Sequence, residues 1–257
     1  MAVKIAIIGG GSAYAPGLIN AFIQNAAYFP GLELRLMDIA PVELDIIQRL
    51  GRRLIEHAGA AIHITATTNQ REAVQGVDYV LTSFRQGGFE ARHQDETIPL
   101  KYHIIGQETI GPGGFFFAMR TLPVIKQLLR DIKELAPTAL LVNYTNPTQI
   151  VAEAITHFSD VPCISICDQT KEDRHNILHA LEMPQAQVTL ESVGLNHATW
   201  STRFEIDGED GVAVMEKHHK RVLSRPDISE RTKRQFQLAA AYGRLPNSYM
   251  QYYYFRE

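Results

Sequence analysis

The chain has 257 residues, 45% of them hydrophobic and 21% charged, with 25 Lys and Arg against 28 Asp and Glu for a formal net charge of −3. That length can bury the core of one large domain or two modest ones. The near-neutral balance excludes the electrostatic footprint of a nucleic-acid or acidic-membrane binder. No apolar run reaches transmembrane length, and no charged segment with a cleavable apolar stretch opens the chain, so the expected compartment is the cytoplasm.

Val3 to Ile8 is a run of Val, Ile and Ala with one Lys, the pattern of a strand buried on both faces. Gly9, Gly10, Gly11 and Ser12 follow at once, and Leu18, Ile19, Phe22 and Ile23 mark a helix after them. A glycine turn between such a strand and a helix lets backbone N–H groups approach a pyrophosphate at the positive end of the helix dipole. A dinucleotide is therefore the expected ligand. Within a G-x-G-x-x-G fingerprint, Gly9 and Gly11 hold the first two places and Tyr14 stands in the third. Asp38 closes the next apolar run, Leu32 to Met37, where an acidic residue would hold the adenosine ribose hydroxyls. Its plainer reading is a helix cap ahead of Pro41.

Pro41 to His57 carries Leu44, Ile47, Leu50 and Leu54 at helical spacing. Ile62 to Thr65 reads as a third strand, Gln70 to Val74 as a short helix and Val77 to Ser83 as a fourth strand. Phe84 to Gly114 breaks this rhythm as a polar, glycine-studded, irregular segment of the kind that is often functional. Phe115 to Leu135 returns to helical periodicity, with Pro123 expected to bend or interrupt it. Ala139 to Asn143 is a buried strand, Thr148 to Phe158 a helix and Pro162 to Cys167 a sixth strand. Cys163 and Cys167 on that strand would have α-carbons about 13 Å apart, too far for a disulfide.

This alternation predicts an α/β fold, a doubly wound Rossmann-like parallel sheet, over residues 1–168. Residues 169–257 read as a mixed α+β domain. It has a helix over Lys171 to Glu182, extended runs over Gln187 to Val193 and Thr199 to Ile206, and a hairpin turn at Asp207-Gly208. Helices over Val212 to Leu223 and Ser229 to Tyr242 follow, then an aromatic cluster of Tyr249, Tyr252, Tyr253, Tyr254 and Phe255.

Three short pieces fall where a doubly wound sheet presents its ligands: Asn143 to Pro147, Cys167-Asp168-Gln169 and Gly194-Leu195-Asn196-His197. Cys167 and His197 are a thiol and an imidazole, both good donors to a borderline divalent metal. Two side chains alone would leave positions for substrate oxygens or water, as a catalytic metal requires. Taken singly, the cysteine reads as a small core residue and the histidine as a hydrogen-bonded one. His175 and His179 lack an accompanying zincin motif and read as surface histidines.

Taken in order, Gly9-Gly10-Gly11-Ser12-Ala13-Tyr14-Ala15-Pro16, Arg92 to Glu96, Gly106 to Gly114, Asn146-Pro147, Cys167-Asp168 and Gly194 to His197 resemble glycoside hydrolase family four. That family includes NAD- and divalent-metal-dependent 6-phospho-α- and 6-phospho-β-glucosidases, and the match covers essentially the whole chain. The resemblance implies a fold like that of lactate and malate dehydrogenases. It also implies bound NAD, a divalent metal, most often manganese, a phosphorylated disaccharide or glycoside as substrate, and a homo-oligomer, dimer or tetramer. The implied chemistry is a redox route to hydrolysis. Hydride leaves C3 for NAD, a base removes the acidified C2 proton while the metal stabilises the enediolate, the glycosidic oxygen leaves C1, water adds and the hydride returns.

Position by position, the resemblance makes Cys167 and His197 the metal ligands and Asp168 the proton donor to the departing oxygen. It makes Tyr249 the base, with Tyr252 in reserve, and Glu108 the residue that raises its basicity. Arg92 and Asn146 match substrate contacts. Arg85, in Ser83-Phe84-Arg85, is expected beside the nicotinamide half of the cofactor. It joins Gly9, Gly10, Gly11, Ser12, Tyr14 and Asp38 as a cofactor-binding residue. Asp168 stands where the 6-phospho-β-glucosidases typically carry Asn, which favours α-linked substrates, although Gln169-Thr170 departs from the Met-Pro common in the phospho-α-glucosidases. The plainer readings are a helix cap for Asp168 and core packing for the tyrosines. Family members run well beyond residue 257, so the chain reads as truncated before a basic residue expected at the sugar phosphate. The competing readings are an NAD-dependent 2-hydroxy-acid dehydrogenase, which needs no metal, and a non-catalytic NAD-binding protein.

Overall fold

A computed structural model describes residues 2–255, and the chain divides into two compact units between Ile166 and Cys167. The first unit is built on six parallel strands: β1 (Lys4–Ile8), β2 (Glu33–Met37), β3 (His63–Thr67), β4 (Tyr79–Thr82), β5 (Leu140–Asn143) and β6 (Cys163–Ser165), in the order β3-β2-β1-β4-β5-β6. The order reverses direction between β1 and β4, the switch point of a doubly wound sheet.

Because side chains alternate along a strand, a strand covered on both faces must be apolar at nearly every position. Ile5 and Ile7 join Leu34 and Leu36 beneath α1 (Ala15–Gln24) and α2 (Pro41–Ala58), through Ile19, Leu44, Ile47 and Ile55. Ala6 and Ile8 join Val80 and Leu141 on the other face, where α3 (Gln70–Val74), α5 (Gly111–Leu135) and α6 (Thr148–Phe158) supply Val74, Ile125, Leu128, Ile132, Val151 and Ile155. β6 is shorter than the sequence suggests, so Cys167 lies beyond the strand, and both cysteines are free thiols.

Phe84 to Gly114, expected to be irregular, holds a helix, α4 (Gly88–Leu100). Its buried residues are Asp95 and Pro99, so there is no apolar stripe to announce it. Asp95 is 8% exposed and forms a two-pronged pair with Arg120 of α5, one arm of which measures 3.0 Å. The chain then passes so close over α4 that a Cβ at Gly106 would lie 1.7 Å from the Glu96 carbonyl oxygen. α5 continues through Pro123 without a break. Phe117, Ala118 and Thr121 before the proline and Ile125, Leu128 and Leu129 after it are all buried, so both halves of the helix are packed down.

In the second unit, α7 (Gln169–Leu181) leads to an antiparallel sheet of β7 (Val188–Leu195), β8 (Ala198–Ile206) and β9 (Glu209–Asp210). Asp207 and Gly208 turn between β8 and β9 with φ of 49° and 83°, the left-handed pair that suits a two-residue hairpin. α8 (Gly211–Ser224) and α9 (Glu230–Tyr242) close the core around Phe204, Ile206, Met215, Val222, Phe236 and Leu245, with Ile177 and Leu181 of α7. A 3-10 turn, Ser248–Met250, and α10 (Gln251–Tyr254) end the described chain. Among the described residues, no helix is long and apolar enough to cross a membrane.

The Asp95–Arg120 pair ties α4 to α5. Arg120→Ala leaves a buried carboxylate without its cation, and the expected loss is about 1–3 kcal/mol, read as a lower urea midpoint. An unchanged midpoint would show that α4 is held by backbone packing alone.

Candidate functional site

In the first unit the glycine turn is shaped by its neighbours. Gly9 has φ +94°, and a Cβ there would lie 2.2 Å from the Ser83 carbonyl oxygen at the end of β4. Gly10 leaves no more room, since its Cβ would lie 2.8 Å from the Leu36 Cβ. Gly11 donates its N–H to Asp38 Oδ2 at 3.0 Å, and the other oxygen of Asp38 accepts from Ala40 N–H at 3.1 Å. Asp38 is thus fastened to the turn, while α2 starts from Ala40 with no side-chain cap. α1 begins after Tyr14 with no side-chain cap and no acidic residue in its first turn; Ala15 N–H donates to the Ser12 carbonyl at 3.0 Å and Pro16 carries no N–H, so what the helix start offers an anion is chiefly the positive end of its dipole. Tyr14 is exposed, and its ring meets Tyr144 edge-on at 5.9 Å. A bare helix start, a turn that excludes Cβ atoms and a tethered carboxylate are the parts a dinucleotide needs, so the residues present fit NAD.

Three residues assigned separate roles in the sequence form one cluster. Glu108, its side chain 13% exposed, pairs with Arg85 through Oε1 and with Arg92 Nη2 through Oε2 at 3.3 Å. Arg92 Nε also reaches Glu96 at 2.7 Å, and the Arg85 guanidinium lies 4.9 Å from the centre of the Phe117 ring. Phe117 carried no signal beyond helical periodicity.

Asn146 accepts from Thr148 Oγ1 at 2.9 Å, just past the end of β5. Buried Asn143 accepts from Thr82 Oγ1 at 2.8 Å and donates to Ser165 Oγ at 3.2 Å, which binds the carboxyl ends of β4, β5 and β6 together.

In the second unit, β7 and β8 run to a two-residue tip, Asn196-His197, with His197 in the left-handed region at φ 67°. His197 is 5% exposed, and its Nε2 lies 3.4 Å from Cys167 Sγ. The Tyr249 ring stacks on the imidazole at 4.1 Å and 7°. Tyr252 is 5.7 Å from Tyr249 and tilted, and the Arg231 guanidinium is 5.1 Å from the Tyr249 ring centre. Asp168 occupies the N-cap position of α7 but makes no side-chain cap bond, which removes the plainer reading of that residue. His175 and His179 are exposed.

A single ion held at about 2.3 Å from sulfur and about 2.1 Å from nitrogen needs those donors roughly 3.1–3.6 Å apart for angles of about 90–110°. The observed 3.4 Å falls inside that window. Among the described residues, no group of three or more His, Cys, Asp or Glu could hold a metal. The donor set that fits is therefore one thiolate and one imidazole, with the other positions filled from outside these side chains. Burial pushes the Cys163 thiol up, against smaller opposing effects of Ser165 and the Asn143 backbone, so that cysteine stays protonated.

The family model described as Family 4 glycosyl hydrolase matches residues 4–183, and that of the Family 4 glycosyl hydrolase C-terminal domain matches residues 192–257. A relative from Bacillus subtilis (strain 168), named "Probable 6-phospho-beta-glucosidase", is 42% identical over 209 residues, 80% of this chain and 47% of its own. The solved structure of a 6-phospho-α-glucosidase from gut microorganisms, in complex with NAD and Mn2+, is similar with a TM-score of 0.87 at 27% identity, covering 99% of this chain and 61% of that one. The chain thus spans between 47% and 61% of the length of these two proteins. Malate dehydrogenase from Plasmodium falciparum shares the fold alone, with a TM-score of 0.60 at 12% identity over 93% of this chain and 69% of its own.

If the thiol and imidazole share an ion, Cys167→Ala and His197→Ala each weaken Mn2+ binding at least about tenfold. Cys163→Ala leaves it unchanged. Titration followed by electron paramagnetic resonance reads this directly, and equal affinity in all the proteins would remove the pair as ligands.

Proposed function

Because the chain belongs to the family 4 glycosyl hydrolases, we propose that it serves the hydrolysis of 6-phospho-glucosides with NAD and a divalent ion, manganese by preference, as cofactors. The observation that carries this reading is the thiol and imidazole 3.4 Å apart with a tyrosine ring stacked on the imidazole. A cytoplasmic homo-oligomer is the form in which we expect it to act.

When bound, NAD would supply a hydride acceptor and donor for C3, and the divalent ion would supply Lewis-acid stabilisation to the oxidised sugar. The chain's own residues do the rest. The glycine turn and the positive end of the α1 dipole face the pyrophosphate, and Asp38, fastened to Gly11, holds ribose hydroxyls. Gly9, Gly10 and Ser12 give the turn its shape, with Tyr14 beside it. Tyr249 takes the C2 proton, and the stack on His197 fixes the direction from which its oxygen approaches. Asp168, at the N-cap position of α7 directly after Cys167, gives a proton to the oxygen leaving C1. Arg92 and Asn146 hold the sugar. Glu108, which orients Arg85 and Arg92 within the first unit, is the group we assign to strengthening the base, and Tyr252 is the reserve for Tyr249.

Asp168 and the α-glucosidase structure at TM-score 0.87 favour α-linked substrates. A second reading, β-linked substrates, is favoured by the 42% identity to the Bacillus subtilis protein and its name. Nitrophenyl 6-phospho-α- and 6-phospho-β-glucosides, offered side by side with their unphosphorylated forms, separate the two.

The expected result is cleavage of a 6-phosphorylated anomer with both NAD and Mn2+ present, with a primary isotope effect from deuterium at C2. Cleavage by an NAD-free sample overturns the redox route. Oxidation of a 2-hydroxy acid that survives EDTA would instead favour a dehydrogenase, and tight NAD binding without turnover a non-catalytic protein. Tyr249→Phe lowers kcat by about 10²–10⁴ while moving KM far less.

A further inference from the structure

Ser248, one residue before Tyr249, is 3% exposed and is held by bonds to two helices. Its N–H donates to Asp173 Oδ2 of α7 at 3.0 Å. Its Oγ accepts from Arg231 Nε of α9 at 2.7 Å and from Gln169 Nε2 of α7 at 3.1 Å. Gln169 Nε2 also donates to Asp173 Oδ1 at 2.7 Å, and Arg231 Nη2 lies 3.6 Å from that oxygen. From α9, Gln235 Nε2 donates to Asp173 Oδ2 at 3.3 Å and to the Pro246 carbonyl at 2.7 Å. Asp173, Gln169 and Gln235 are 4%, 4% and 2% exposed.

Burying a carboxylate and two amides is costly, and apolar side chains of the same size would hold three segments together at least as strongly. What a hydrogen-bonded network adds is direction, because it tolerates one register of its parts and resists the rest. The parts are informative here. Gln169 opens α7 directly after Cys167-Asp168, Ser248 directly precedes Tyr249, and Tyr249 is the ring laid on His197. Asn247 completes the turn by accepting from the Tyr249 N–H at 3.0 Å.

We propose that buried Gln169, Asp173 and Ser248, with the partly exposed Arg231, form a clasp that fixes the Tyr249 ring against the His197 imidazole, and that they are positioning residues for proton removal by Tyr249. The catalytic half of this rests on the function proposed above. Ser248 and Gln169 are the informative positions, because Ser248→Ala keeps the backbone bond to Asp173 and Gln169→Met keeps the side-chain length.

The test uses the 257-residue chain and two readouts. The first is independent of turnover: the His197 ring protons lie under an aromatic ring and carry a ring-current shift in proton–carbon NMR spectra, with Tyr249→Leu as the unstacked reference. Ser248→Ala and Gln169→Met move those resonances toward the reference. The second is kinetic: kcat falls about ten- to a hundredfold, KM stays within about twofold, and the isotope effect from C2 deuterium grows as proton removal becomes slower. His197 resonances that stay at their wild-type positions in both variants overturn the clasp, whatever happens to kcat. Shifted resonances with unchanged kcat and isotope effect overturn its part in proton removal. A wild-type chain that cleaves no 6-phospho-glucoside counts against the function instead, while the NMR readout still decides the clasp.

Discussion

Cys167 Sγ and His197 Nε2 come within 3.4 Å because the chain reverses between β7 and β8 on two residues, the second of them the histidine. A non-glycine residue at φ 67° is held in a conformation that costs roughly 1 kcal/mol or more, and it persists where the surroundings over-determine it. They do so here. The ladder of β7 and β8 fixes the two ends of the turn, the Tyr249 ring covers the imidazole, and the residue is 5% exposed. A histidine on a longer, looser loop could reach the same sulfur but would not be held to it. The proposed metal chemistry depends on that restraint, since two protein donors bind an ion well only when neither has to be ordered on binding.

The first unit reaches its own order by a different route. The centre of its sheet is packed by apolar side chains on both faces, but the carboxyl ends of its strands are tied by polar bonds. Asn143 links Thr82 to Ser165, and Asp38 links the end of β2 to the turn after β1. The hydrophobic effect places the strands without regard to direction. The hydrogen bonds then set where the loops leave them, and the loops carry the groups that would meet a dinucleotide.

How much of this the sequence discloses depends on which force holds each part. Strands such as Ile5 to Ile8 and helices such as Leu44 to Ile55 are legible because their packing is apolar, and apolar packing imposes a period. α4 is illegible for the complementary reason: its buried residues are Pro99 and Asp95, and Asp95 reads as a solvent residue until Arg120 is found opposite. Pro123 misleads because the local rule that proline breaks a helix yields to two buried turns on either side of it. In the site, Cys167, Asp168 and His197 carry motif signals, whereas Asp173, Arg231 and Ser248 carry none. Ser248 meets Gln169 across 79 residues, and a buried polar network has no repeat by which a single sequence could reveal it.

Asp95, Asp131 and Asp173 are all nearly buried, and each faces an arginine: Arg120, Arg71 and Arg231. Asp131 also accepts from Gln70 Nε2 at 2.7 Å and Gln127 Nε2 at 3.2 Å, as Asp173 accepts from Gln169 and Gln235. In each case the aspartate joins separate helices or turns: α3 with α5, α4 with α5, and α7 with α9 and the Ser248 turn. Such pairs contribute little net stability, because desolvation offsets most of the attraction. Their common product is register. At Asp95 and Asp131 that register aligns helices of the scaffold. At Asp173 the same device lies one residue from a tyrosine stacked on the candidate metal-binding histidine, so the geometry it enforces passes directly to the groups proposed to react.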